Sequence, residues 1–255
     1  MQRFPVLISI PHGGTSIPDE LKNKLVIGCR EIFEDIDPFT QKIYDLGNKI
    51  TVVLKADVAR TFVDLSRSTE DLPPKNPDGV IKSHTCFGKI IYKTDKQPDE
   101  VLIKLLLKKY YHPFHNKLKG VIEKNKSNLK FCLDCHTMEA VGPAISPDSG
   151  KDRPLICLGN RFGESAPNEL IEKLRLSFIN VFKLNESDVT INRPFAGGFI
   201  TRNYGNNPLP WIQVELNRLL YLRKPYFDSS TLEISEERLR DLNDKLALVL
   251  QNFFP

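Results

Sequence analysis

Residues 5–15 read PVLISIPHGGT. The apolar run at 5–10 has the length and β-branched content of a buried strand, and Pro11 ends it. His12 follows at once, and then Gly13 and Gly14. Open α/β sheets collect ligands beyond the carboxyl ends of their strands. A histidine at such an end is a candidate ligand, and the two glycines read as room for a substrate beside it.

Working outward, the same pattern recurs. LKFCLD (129–134) is a strand running into His136, and WIQVELN (211–217) is a strand carrying Glu215. Further strands are predicted at 51–58, 154–159 and 189–192. Helices are predicted from 18 to 26, over 37–50 with Asp37 as N-cap and Pro38 at the first position, over 99–124 with an interruption at Pro113, over 168–183, and over 235–254 with Ser235 as cap. Strands alternating with helices indicate an α/β fold with a largely parallel sheet. No repeat or linker divides the chain, so residues 1–255 are read as a single domain. Residues 66–97 form a long polar loop of the kind that serves as a lid or binding loop, and 141–154 is a Pro/Gly/Ser-rich loop.

The 255 residues are 40% hydrophobic and 27% charged, as in ordinary globular proteins. The net charge of +4 is spread along the chain, which argues against a nucleic-acid partner and is compatible with a small anionic substrate. The five cysteines are odd in number, and Cys132 and Cys135 fall on opposite faces of one strand. They read as reduced thiols of a cytoplasmic protein, not as a metal or redox pair. The first residues read as neither a signal peptide nor a membrane span, so no membrane partner is expected. Oligomeric state is open.

Two histidines and an acid, delivered by three strands, are the raw material of a zinc site with one position left for water. Either histidine alone would more often be a hydrogen-bonded structural residue. The HExxH pattern is absent, and the HxxE formed by His136 and Glu139 falls where a Gly/Pro loop begins and is read as coincidence.

The segments SIPHGGTSIP, EDIDPFTQKIY, RTFVDLSR, YYHPFH, DCHTM, CLGN, NRPFAGGFITRNYG and QVELNRLLY follow one another in this order. Together they resemble the N-formylglutamate amidohydrolase family, also called N-formylglutamate deformylases, over nearly the whole chain. That family is similar to zinc carboxypeptidases and aspartoacylases. The resemblance implies a three-layer α/β/α fold around a mixed, mostly parallel sheet. It also implies hydrolysis of the formyl amide of N-formyl-L-glutamate with one zinc ion, or another divalent metal.

Carried over residue by residue, the resemblance implies His12 and His136 as imidazole ligands. The carboxypeptidase group has an acid in the loop of its first histidine; here Gly14 and Thr15 stand there, and the segment EDID must supply the third ligand. Asp37 is favoured, with Asp35 as competitor; an Asp before Pro38 is also an ideal helix cap. Glu215 is implied as general base. Arg60 is implied as the group that stabilises the oxyanion, and Arg67 as the one that clasps a substrate carboxylate. The usual pattern reads DLNR, and this chain has Ser66 where the Asn would be. Arg193, Arg202 and Arg218 are candidates for a second carboxylate. Gly197 and Gly198 offer backbone N–H groups to a ligand. His112 and His115 are either supporting or structural. Two alternatives stand beside this reading: a zinc hydrolase of another N-acyl amino acid or short peptide, and a non-catalytic binding protein of the same fold.

Overall fold

The computed structural model describes residues 3–254. Six strands form the central sheet: β1 (Phe4–Ile10), β2 (Ile50–Lys55), β3 (Phe131–Met138), β4 (Ile156–Gly159), β5 (Val189–Ile191) and β6 (Trp211–Asn217). Their order is β2-β1-β3-β6-β4-β5. All neighbours are parallel except β4, which runs antiparallel to β6. A small hairpin, β7 (Phe227–Asp228) with β8 (Glu233–Ile234), lies apart from the sheet.

Helices cover both faces, so the architecture is the expected three-layer α/β/α. One face packs against α2 (Thr40–Tyr44), α5 (Asn168–Phe182) and α7 (Glu236–Phe253). The other packs against α1 (Cys29–Asp35), α3 (Glu100–Leu106), α4 (His112–Asn125) and α6 (Phe199–Tyr204). The strands sort their side chains between these cores with period 2. Val6, Ile8 and Ile10 of β1 enter the first core, whereas Leu7 enters the second. Cys135 and Cys132 divide in the same way, which keeps the two thiols apart.

Several expected boundaries move. Asp37 does not cap a helix: α2 begins at Thr40, behind a left-handed Phe39 (φ 63°), and ends at Tyr44. The segment 18–26 forms only a single turn, because residues 24–26 give their backbone to the segment around Tyr92. Pro113 does not break its helix. It sits in the first turn of α4, where a missing N–H costs little, and the irregular wide turn lies before it at Leu107–Tyr111. The helix α1 was not expected from sequence; its seven residues bury one aliphatic side chain, Ile32, too few to make a periodic stripe. Ser235 caps α7 as expected, its hydroxyl accepting from the Arg238 N–H (3.2 Å).

The 66–97 segment has little regular structure but is pinned internally. Lys82 is fully buried, and its ammonium sits 3.0 Å from Asp35 and 2.6 Å from Asp78. Asp35 also accepts from the Cys86 N–H (2.6 Å). Burial raises the cost of each charge, and the partners offset it: the neighbouring cations hold Asp35 down to about 2. Removing one partner of a buried pair leaves the other uncompensated. Lys82→Met should therefore lower unfolding stability by about 3 kcal/mol, measured as a shift in the urea midpoint at unchanged m-value.

Candidate metal centre

On the face of the sheet that packs toward α6, β3 reads Cys132, Asp134, His136 and β6 reads Trp211, Gln213, Glu215. Register places Asp134 beside Gln213, and His136 beside Glu215. Both strands thus turn from apolar to polar toward their carboxyl ends on one face. His12 comes in from the end of β1, and its carbonyl accepts the Asp37 N–H (3.0 Å), which ties the acid's loop to it.

The three predicted ligands converge. His12, Asp37 and His136 are all buried, and one potential ligand atom from each lies within 4.8 Å of the others. The Nδ1 atoms of the two imidazoles are 3.0 Å apart. Asp37 Oδ2 is 3.3 Å from Nδ1 of His136 and 3.6 Å from Nδ1 of His12. His12 Nε2 is hydrogen-bonded to the buried Asp64 (2.8 Å), whereas His136 Nε2 lies 3.2 Å from the buried Asp134 without hydrogen-bond geometry. A carboxylate on one ring nitrogen fixes the tautomer and turns the other lone pair toward a metal. Two such lone pairs beside a carboxylate repel unless a proton or a cation lies among them. This donor set, two imidazoles and one carboxylate, is one that zinc accepts.

The electrostatics agree. Burial alone would raise Asp37, yet the two histidines hold it well below the usual carboxylate range. Burial alone would lower His136, yet Asp134 and Asp37 hold it well above the usual imidazole range. Asp37 Oδ2 also accepts from the Thr137 N–H (3.1 Å), and its other oxygen lies 3.4 Å from Arg218. Asp35, the competitor, points away to Lys82.

Glu215 is buried, and desolvation pushes its carboxyl up to about 7, although His136 pulls the other way. Gln213 Nε2 donates to Glu215 (2.7 Å), and Gln213 Oε1 in turn accepts the Gly198 N–H. Gly198 therefore spends its N–H on holding Gln213, which corrects its expected role as a ligand donor. Gly13 and Gly14 also need another explanation. A Cβ on Gly13 would stand 2.4 Å from Thr40 Oγ1, and one on Gly14 2.4 Å from the Val58 carbonyl. They let the His12 loop pack between α2 and the chain after β2; neither lines the open space at the site.

That space is a cleft of about 1070 Å³ lined by His12, Asp37, His136, Glu215, Arg60, Ser66, Arg67, Gly197, Gly198 and Arg202. Arg193 is exposed and lies outside it, so its expected substrate contact is not supported. Arg60 donates to Asp64 (2.9 Å) and stands 4.0 Å from Asp37. Arg67 donates to Asp78 (2.8 Å). Ser66 is buried, and its N–H donates to Asp64 (2.8 Å). Arg218 is not free for a substrate carboxylate: it bonds the Glu34 and Ile36 carbonyls and Glu139 beside Asp37. His115 is structural, bonded to the Tyr204 hydroxyl and the Leu65 carbonyl, with burial lowering it to about 4. Sequence reasoning missed Asp134, Gln213, Arg153 and Arg161; the alternation of FCLDCH and WIQVEL was the signal for the first two.

A family model described as N-formylglutamate amidohydrolase matches residues 4–222. The chain belongs to that family. A curated N-formylglutamate deformylase of Pseudomonas putida is 28% identical over 87% of this chain and 83% of its own length. Another from Pseudomonas aeruginosa is 26% identical over 96% of this chain and 93% of its own. Among solved structures, an N-formylglutamate amidohydrolase from Ralstonia eutropha superposes with a TM-score of 0.78, covering 100% of this chain and 95% of that one. Its sequence identity is 19%, so it speaks for the fold alone.

If Asp64 orients His12, Asp64→Asn should weaken zinc affinity about 10- to 100-fold. Competition against a chromogenic chelator would measure this, and His12→Ala should lose more.

Proposed function

We propose that the protein is a metal-dependent amidohydrolase that cleaves the formyl amide of N-formyl-L-glutamate to formate and L-glutamate. The observation that carries this reading is the convergence of His12, Asp37 and His136 beside Glu215 in one cleft, in a chain of this family. The three residues would hold one divalent cation, zinc being the best fit to the donor set, and the cation would supply Lewis-acid charge at the scissile carbonyl.

The chain's own residues do the rest. Glu215 takes a proton from the attacking water and passes it to the leaving nitrogen. A carboxyl near 7 suits both halves of that exchange, because it gains and releases a proton with little cost at neutral pH. Gln213 holds the carboxylate in place from the same strand. Arg60 offers positive charge where the oxyanion develops, oriented by Asp64. Arg67, oriented by Asp78 and partly exposed to the cleft, receives the α-carboxylate.

One observation favours a second reading. Ser66 replaces the usual Asn beside Arg67, and the cleft has room for larger acyl groups or a short peptide. Equal kcat/KM on N-formyl- and N-acetyl-L-glutamate would favour this broader hydrolase.

Formate release from N-formyl-L-glutamate by zinc-loaded protein tests the proposal. Activity should vanish on chelation and return on adding zinc back. Zinc-loaded protein with no turnover would overturn the proposal. Glu215→Gln should lower kcat by about 10³-fold while retaining the metal. Glu215 must be ionised to act as base, so wild-type kcat/KM should fall about tenfold per pH unit on the acid side of its titration and level off on the alkaline side, the bound cation drawing that midpoint below the value burial alone sets.

A further inference from the structure

Six arginines line the cleft: Arg60, Arg67, Arg153, Arg161, Arg202 and Arg218. Four are matched by a carboxylate at hydrogen-bond distance. Arg60 pairs with Asp64 at 2.9 Å, Arg67 with Asp78 at 2.8 Å and Arg153 with Asp148 at 2.7 Å. Arg218 pairs with Glu139. Among the described residues, Arg202 has no carboxylate within 4.0 Å, and Arg161 donates only a long hydrogen bond (3.4 Å) to the exposed Glu164. The Nε of Arg161 is shielded from solvent and has no hydrogen-bond partner.

The backbones of both residues flank one turn. Arg161 N–H donates to the Ala196 carbonyl (2.7 Å), and Arg202 N–H donates to the Gly198 carbonyl (2.9 Å). Gly197 between them has φ 129°, and a Cβ there would lie 3.0 Å from the Arg161 side chain. The stem of Arg161 thus lies directly against the Gly197 backbone. Arg161 itself and Phe162 after it hold left-handed backbones, φ 55° and 57°. Two consecutive non-glycine residues in that region are costly and persist where the surroundings impose them. The amides of Asn160 and Asn192 bond each other's segment (2.9 and 2.8 Å) and clamp the end of β4.

Sheet order gives the direction. His136 lies on β3, Glu215 on the next strand β6, and Arg161 follows β4 beyond it. Because β4 is antiparallel and ends level with Gln213, Arg161 is offset from Glu215 along the strands as well as across them; its side chain lies against Gly197, whose neighbour Gly198 bonds the Gln213 that donates to Glu215. Arg60 stands 4.0 Å from Asp37 and is paired with Asp64.

We propose that Arg161 is a specificity-determining residue: its guanidinium, with Arg202 beside the same turn, receives the side-chain carboxylate of an N-acyl acidic amino acid. This rests on the amidohydrolase reading. A guanidinium that receives a carboxylate discriminates against a neutral amide isostere, because the amide cannot supply the second acceptor or the charge.

The test is the ratio of kcat/KM for N-formyl-L-glutamate over N-formyl-L-glutamine, in wild type and Arg161→Met, with zinc content and thermal midpoint measured on the same preparations. Wild type should prefer the acid, and the variant should lose about 10- to 100-fold of that preference, mostly through KM. Arg161→Lys should keep part of it, and Arg161→Gln replaces the methionine variant should that one fail to fold. An active wild type with a folded, zinc-loaded variant whose preference stays within about twofold would overturn this inference alone. A zinc-loaded wild type that hydrolyses neither compound would overturn the amidohydrolase reading and the inference with it.

Discussion

The structure turns on two imidazole nitrogens held 3.0 Å apart beside a buried carboxylate. Such a pair cannot sit there as two neutral lone pairs; it demands a shared proton or a cation. Everything around it supplies negative charge or orientation. Asp64 and Asp134 stand behind the two rings, Asp37 stands between them, and Glu215 waits on the next strand. Arg60 and Arg218 then keep the cluster of carboxylates from being unpaired in a desolvated place.

That arrangement explains why the sheet is built as it is. Parallel strands bring their carboxyl ends to one edge, so β1, β3 and β6 deliver His12, His136 and Glu215 together. The antiparallel β4 ends at the level of Gln213, not beyond Glu215. Its continuation therefore does not crowd the ligands but forms the side wall of the cleft with the 196–198 turn. Gln213 joins the two parts, donating to Glu215 and accepting from Gly198. A displacement of the turn would be felt by the Glu215 carboxylate.

Much of this was legible in the sequence. Strand ends bearing His12, His136 and Glu215 could be read from apolar runs that stop at polar residues, and the ordered motifs supplied the family. What escaped reading was decided by tertiary contacts. In the sequence Gly13 and Gly14 read as space for a substrate, yet their neighbours are Thr40 and the Val58 carbonyl, which only the folded chain brings close. Arg193 and Arg161 look alike in a sequence. One is exposed outside the cleft and the other lies along its wall, because a left-handed turn after β4 redirects the chain.

The pair Asp35 and Asp37 shows the limit most clearly. Local sequence gives both the same chemistry, and Pro38 even favours a helix-cap role for the second. The backbone leaves α1 after Asp35 and is extended at Ile36 (ψ 178°), so the two carboxylates face different partners. Asp35 meets the buried Lys82 and anchors the 66–97 segment, while Asp37 meets the histidines. Each acid is held ionised by its own cationic surroundings, and neither could take the other's place without leaving Lys82 or the imidazole pair uncompensated. Two residues of chain therefore join the His12–Asp37–His136 cluster to the irregular segment that carries Arg67 and Asp78, and the buried Lys82 fixes that segment's position relative to the cluster.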